Sequence, residues 1–235
     1  MKNRLRGCST SSIKIIEDEF KDYINDEIFP CVGAKSSLAQ TNLDFYFAES
    51  ISNSTYDTDL HESLKNFGQK LNLDGISLQS FALIFSDEKP ISEIGFERLL
   101  WEKLQSLHDI DTSKNISWSK DCESAPESSK FSMSIAGYSF FIIGIHPNSS
   151  RTARKFKYPA MVFNSHAQFE ILRKNGKYEK LQKIIRKNDL EINGSINPMV
   201  KNFGEGAEAS QYSGRHVDKR WKCPIKIKRN NNENN

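Results

Sequence analysis

The 235-residue chain has no apolar stretch approaching the ~20 residues that a membrane-crossing helix requires. Its longest apolar run is 141-FIIGI-145 with its flanks, so a spanning helix is excluded. The segment 1-MKNRLRGCSTSSIKIIEDEF-20 is basic and then acidic, without an apolar h-region. No secretory signal is therefore expected, and the expected location is cytoplasmic. The four cysteines (Cys8, Cys31, Cys122, Cys223) include no C-x-x-C pair, which rules out a zinc ribbon or a thioredoxin-type motif. In a cytosol they are reduced thiols. Also missing are a P-loop, a G-x-G-x-x-G after a strand, an H-E-x-x-H and a G-x-S-x-G. The segment 204-GEGAEAS-210 is too acidic to cradle a phosphate.

The net charge of +3 conceals an asymmetry. Residues 1–150 carry 14 Lys/Arg against 22 Asp/Glu, and residues 151–235 carry 19 against 8, a net of +11 in the C-terminal third. Such a field suits nucleic acid, and equally the carboxylate or phosphate groups of a small ligand. Little aromatic residue is interleaved with the basic run, which weakens the nucleic-acid reading.

Hydrophobic periodicity predicts a helix over 13–28, with Ile13, Ile16, Phe20, Tyr23 and Ile24 on one face, stopped by Pro30 and followed by a loop over 29–35. A strand over 43–49, a helix carrying Leu60, Leu64, Phe67 and Leu71, and a buried strand over 81–86 follow. Pro90 then punctuates the entry to a helix near 92–108, whose apolar face is Phe96, Leu99, Leu100, Leu104 and Leu107. A surface loop over 112–129 leads to a hairpin over 131–145 turning at Ala136-Gly137, its second arm buried and central. A strand at 160–163 and one helix over about 165–187 complete the regular part. From 188 the chain is expected to wrap as ordered loop, and 226–235 to be a disordered polar tail. The expected fold is a single mixed α+β domain over 1–225, with a central sheet flanked by helices and a long irregular C-terminal wrap.

Chemistry is densest over 144–173. His146 follows a buried strand, where a rigid scaffold hands over to a loop. Ser149, Ser150, Arg151 and Arg154 come next, and two arginines three apart on a helical turn point the same way and can clamp a carboxylate. His166 opens a helix after Asn164 and Ser165, with Gln168 one turn on. A histidine at a strand end serves equally well as a hydrogen-bonded structural residue, the arginines as a solvated face, and His166 as a capping partner.

Eight segments carry a resemblance: 29-FPC-31, 101-WEKLQSLHDID-111, 131-FSMSIAGYSFFIIGIHP-147, 146-HPNSSRTARKF-156, 162-VFNSHAQFEILR-173, 184-IIRKNDLEINGSINPM-199, 208-EASQYSGR-215 and 221-WKCP-224. In these segments, in this order, the chain resembles the YqcI/YcgG family, a bacterial family that includes haem-dependent N-hydroxylases. The resemblance implies a haem b with an imidazole as axial ligand and an open face for molecular oxygen. The substrate it implies is guanidine- or amine-bearing and amino-acid-like, arginine being the model, hydroxylated on nitrogen. No flavin or nicotinamide motif is present, so an external electron-donor protein is implied.

On this reading His146 is the expected iron ligand, with His166 and Cys31 as alternatives. Arg151, Arg154, Ser150 and Gln168 bind the cofactor, the arginines at its propionates. His166, Asn164 and Glu208 face the chemistry, with Glu208 as carboxylate partner of the guanidinium and Glu205 and Asp189 as the other candidates. Arg186 adds a polar contact. Cys31 and Cys223 otherwise read as small buried residues that pack the termini together. No nucleic-acid or membrane partner is expected, and a homodimer stays open. Two other readings stand beside the oxygenase: a haem-binding carrier, sensor or peroxide-handling protein, and a nucleic-acid or regulatory binding protein that uses the basic C-terminal third.

Overall fold

Near-continuous apolar runs such as 81-FALIF-85 and 140-FFIIGI-145 give a sheet that is buried on both faces, and this sheet organises the molecule. The computed structural model describes residues 10–74, 78–86, 91–195 and 206–227. Within them lie β1 (Leu43–Ala48), β2 (Ser80–Phe85), β3 (Met133–Ile135), β4 (Tyr138–Ile145) and β5 (Ala160–Ser165), in spatial order β1-β2-β5-β4-β3. The pair β1–β2 is parallel and the other three are antiparallel. The fold is therefore α+β, one mixed sheet with helices on both sides. Among the described residues, no helix is long and apolar enough to cross a membrane.

Strand parity separates two cores. Tyr46, Phe81, Leu83, Phe85, Met161, Phe163, Phe140 and Ile142 face α3 (Asp57–Gln69) and α4 (Glu93–Ser113), which cover them with Leu60, Leu64, Phe67, Phe96, Leu100 and Leu104. Phe47, Ala82, Ile84, Ala160 and Ile145 face the opposite way and meet Ile16, Phe20 and Ile24 of α1 (Thr10–Asn25). Fully burying each such side chain is worth about 1.5–3 kcal/mol, so neither face tolerates a one-residue slip in register. Three further helices share the second side of the sheet: α2 (Val32–Ala39), α5 (His166–Lys174) and α6 (Tyr178–Asn193).

The sequence expectations need three corrections here. The loop expected over 29–35 is short, because the chain re-enters a helix at Val32 with Cys31 at its N-cap in extended conformation. The single helix over 165–187 is two, because Gly176 takes φ +62 after Asn175 and ends α5; a left-handed glycine is a strong helix terminator. The irregular region begins later than 188, since α6 runs on to Asn193 and stops at Gly194. The hairpin turn at Ala136-Gly137 and the irregular stretch before it are as expected. Pro90 and residues 228–235 of the expected tail lie outside the described residues.

The C-terminal wrap is ordered over 206–227. Tyr212 stacks on Trp101 of α4, Trp221 tilts against the same indole, and Lys226 accepts and gives hydrogen bonds with Gln105. It docks on β4 where Gly144 N–H donates to the Tyr212 carbonyl at 2.7 Å. A Cβ at Gly144 would lie 2.6 Å from the Phe96 ring and 2.8 Å from that carbonyl, so only glycine admits this approach.

Candidate functional site

On the second face of the sheet, α1, α2, α5, α6 and the start of the wrap stand apart enough to leave a cavity of about 270 Å³, partly open to solvent. That is near the lower end for small-molecule pockets. Its walls are mostly apolar: Phe20, Tyr23, Phe29, Phe141, Ile143 and Phe169 dominate. Polar groups are few and placed by secondary structure. Asn164 enters from β5 and accepts from Ser80 Oγ at 2.8 Å. Gln168, one turn into α5, accepts from the Gln79 N–H and donates to the Asn72 carbonyl, each at 3.0 Å.

Cys31 lines the same cavity from the N-cap of α2. Burial pushes its thiol up, while the N–H groups of Ala34 and Gly33 pull the other way. A helix N-terminus favours a thiolate, so the protein has set a desolvated sulfur where negative charge can be accommodated.

Arg154 ends a 3-10 turn, Thr152–Arg154, and reaches the cavity wall. It is 8 % exposed, and Nη1 donates to the carbonyls of Gly144 at 3.3 Å and Tyr212 at 3.1 Å. No carboxylate lies within ion-pairing distance among the described residues. Burial lowers its pKa to about 10. Tyr23, which hydrogen-bonds the Ala153 carbonyl, feels the charge of both Arg154 and Cys31, and so ties the two to one end of the cavity. A buried cation without an anion is an incomplete site.

Glu208 opens a 3-10 turn, Glu208–Gln211, and faces the cavity at 8 % exposure. Burial raises its carboxyl from 4.5 to about 7 against the pull of the Ser132 hydroxyl, which donates to it at 2.7 Å. The native state thus holds this proton more tightly than the unfolded chain does. The stability it contributes is full below pH 4.5 and is lost as pH rises through about 7. Glu208→Gln removes that loss, so its stability relative to the parent is expected to climb as pH passes from below to above neutrality. Denaturant midpoints at two pH values check this.

A family model described as the YqcI/YcgG family matches residues 20–226. The chain belongs to that family. The matched span includes every residue of the cavity wall, from Phe20 to Gln211. No curated protein and no solved structure matches the chain.

Of the residues expected from sequence, this YqcI/YcgG chain brings Asn164, Gln168, Arg154, Glu208, Arg186, Asp189 and Cys31 to one cavity. It does not bring His146, His166, Arg151 or Ser150 to the wall. His146 follows Ile145 in strand alternation and so faces the other core, stacked on Phe96 with centroids 4.5 Å apart. Burial lowers it to about 4, a neutral structural imidazole. Arg151 precedes the 3-10 turn in extended conformation, so the two arginines diverge. It pairs with Asp189 at 2.5 Å and with Ser195. Ser150 bonds Glu93 of α4 through both N–H and hydroxyl at 2.8 Å. Cys223 packs on the α4 side of the sheet, so it and Cys31 serve different cores and do not pack together. Glu205 lies outside the described residues.

Sequence reading missed Tyr23, Gln211 and Arg173 as cavity residues, and Ser132 behind it. The available signal for Ser132 was the pattern 131-FSMSI-135, a polar residue alternating inside a buried strand.

Proposed function

We propose that this protein is a cytoplasmic haem-dependent oxygenase that uses molecular oxygen, and electrons from a separate donor protein, to hydroxylate a nitrogen of a guanidine- or amine-bearing, amino-acid-like substrate. The observation that carries the reading is Arg154, a buried guanidinium with no carboxylate at ion-pairing distance among the described residues, at the edge of an apolar cavity whose wall also holds a thiol. Family membership supports it.

The donor chemistry of the wall suits a haem, and the cavity of about 270 Å³ has to widen to admit one. A porphyrin brings its own four nitrogens and needs one protein donor. Cys31 is the cavity-lining side chain suited to that place, since iron deprotonates a coordinating thiol outright. Phe20, Phe141, Ile143 and Phe169 suit a flat apolar ring, and Arg154 suits a propionate, whose two oxygens match the guanidinium fork. When bound, the haem supplies oxygen activation. The chain supplies the rest. Cys31 would hold the iron, Arg154 would orient the ring, and the apolar walls would keep water from it. Glu208 meets a substrate cation and, with a pKa near neutrality, can hold or release a proton at the wall. This moves the expected ligand from His146 to Cys31.

Replacing Arg154 with methionine removes a charge-assisted contact worth about 1.5–3 kcal/mol, so haem affinity is expected to fall about tenfold to a hundredfold with the spectrum of the bound form unchanged. Haem titration into the apoprotein measures it. The activity itself is tested by incubating haem-loaded protein, a reductase system and labelled oxygen with arginine and simpler guanidines and amines. The expected result is one labelled oxygen atom on a substrate nitrogen. Haem binding without a substrate-induced spectral change or product across these compounds favours a carrier or sensor instead.

A further inference from the structure

Behind Glu208, a line of polar side chains leads away from the cavity to the surface, hydrogen-bonded as far as His166 and in ion-pair contact beyond it. Ser132 is fully buried, and its hydroxyl lies 2.7 Å from Glu208 Oε2 and 3.1 Å from His166 Nδ1. His166 is 2 % exposed, and its other ring nitrogen, Nε2, lies 3.5 Å from Glu170 Oε1. The Glu170 side chain is 34 % exposed. Two of the four members are buried groups that the proposed function otherwise leaves unused, and one end opens to solvent while the other faces the cavity. We propose that Glu170, His166, Ser132 and Glu208 form a proton relay that joins solvent to the cavity, with Glu208 as its inner terminus.

The number of available protons fixes which atom donates at each link. A serine hydroxyl has a single proton, and a neutral imidazole has one N–H and one bare nitrogen. When Glu208 is ionised, Ser132 must donate to it, so His166 carries its proton on Nδ1 and presents bare Nε2 to Glu170. When Glu208 is protonated, the line reverses: Glu208 donates to Ser132, Ser132 to Nδ1, and Nε2–H to the Glu170 carboxylate. Donors and acceptors match along Glu208, Ser132 and Nδ1 in both arrangements. Passage from the first to the second is one concerted set of hops. A proton taken up by Glu170 from water moves to Nε2, that on Nδ1 moves to Ser132 Oγ, and that on Ser132 moves to Glu208 Oε2. One N–H or O–H bond forms for each that breaks. The net result is a single proton transferred inward, with no ring flip. A neutral imidazole is needed, and burial lowers the His166 pKa.

The charged and titratable groups around the line are few. Glu208 feels Arg173 and Glu170 from α5, and its own charge acts on Tyr212 and Cys122. His166 feels Glu170 and Arg173 from its own helix and Asp121 from the loop before β3. Arg173 ion-pairs with Glu170 and holds that carboxylate at the mouth of the line. The role in turnover rests on the oxygenase reading, because reduction of oxygen at the cavity consumes protons that an apolar wall would otherwise exclude. The relay itself does not depend on haem.

The test uses apoprotein labelled in histidine and glutamate. The ring nitrogens of His166 and the carboxyl carbon of Glu208 are followed by NMR as pH crosses neutrality. As Glu208 loses its proton, the His166 proton is expected to shift from Nε2 to Nδ1, so the two nitrogens exchange chemical shifts. In Ser132→Ala the two events are expected to separate. In Glu170→Ala, a partly exposed change that leaves the core intact, the Nε2–H form is expected to lose population below neutrality. A His166 ring that keeps one tautomer while Glu208 titrates overturns the relay, as does continued coupling in Ser132→Ala or an unchanged tautomer balance in Glu170→Ala. Since no haem enters the readout, failure to bind haem would sink the function above and leave this result standing. A haem-loaded active protein with uncoupled titrations would do the reverse.

Discussion

Cys31→Ala is expected to abolish haem retention, whereas His146→Ala is expected to leave the haem spectrum intact. Cys31 sits at the N-cap of α2, in the wall of the cavity, where burial raises its thiol and the backbone of Ala34 and Gly33 pulls the other way. These donors and the helix dipole favour the thiolate, burial disfavours it, and an iron at the sulfur decides between them. Alanine offers no donor, so a haem would be held by apolar contacts and Arg154 alone. His146 lies on the opposite face of the sheet, against Phe96, where its loss leaves a gap in the α4 core and costs stability only. Soret absorbance after purification from haem-replete cells separates the two. Retention in Cys31→Ala together with loss in His146→Ala would reverse the assignment.

The largest effect on stability is expected from Lys103→Met. Lys103 Nζ lies 2.5 Å from Asp57 Oδ1 and 2.8 Å from the Asn53 carbonyl, and both side chains of the pair are buried, at 4 % and 6 % exposure. The pair ties the first residue of α3 to the middle of α4, which together cover one whole face of the sheet. Methionine fills most of the lysine's volume but leaves Asp57 as an unpaired buried charge whose Oδ2 already has no partner. Breaking one half of such a pair costs about 3–5 kcal/mol, against a total stability of roughly 5–15 kcal/mol for a domain. At about 2–4 °C per kcal/mol for a chain of this size, the melting temperature falls by about 10 °C. The double change Asp57→Asn with Lys103→Met restores much of the loss, because the stranded charge is gone. Thermal melts of the two single variants and the double variant check the expectation; a single-variant cost under about 1 kcal/mol contradicts it.

Most of the sheet and its covering helices was legible, because periods of 2 and 3.6 are written directly in residues such as Phe81, Leu83 and Phe85, or Phe96, Leu100 and Leu104. What escaped notice were local breaks. Asn175-Gly176 divides a helical pattern that reads as continuous, and the short α2 has too few apolar positions to announce itself. In the candidate site, Arg154, Glu208, Asn164 and Gln168 line one cavity, since they lie in or beyond the ends of β4 and β5 or in the wrap that docks there. His146 was misplaced although the information was present. Ile145 and His146 are neighbours on a strand end and must face opposite ways, so a cavity that Ile145 lines cannot also receive His146 without a twist in the chain. Cys31 was legible as a residue beside proline, but its cavity was not. The residues that share its wall come from α6 and the segment around 206–211, some 150 residues or more along the chain.

The central claim, a haem held by Cys31, is tested most directly by the absorption spectrum of the protein produced with a haem precursor and then reduced under carbon monoxide. A red-shifted reduced band of the thiolate-ligated type, absent from Cys31→Ala, is the predicted result. An imidazole-type band would keep the haem and contradict the ligand, and a protein that shows no Soret band after reconstitution would contradict the account at its base.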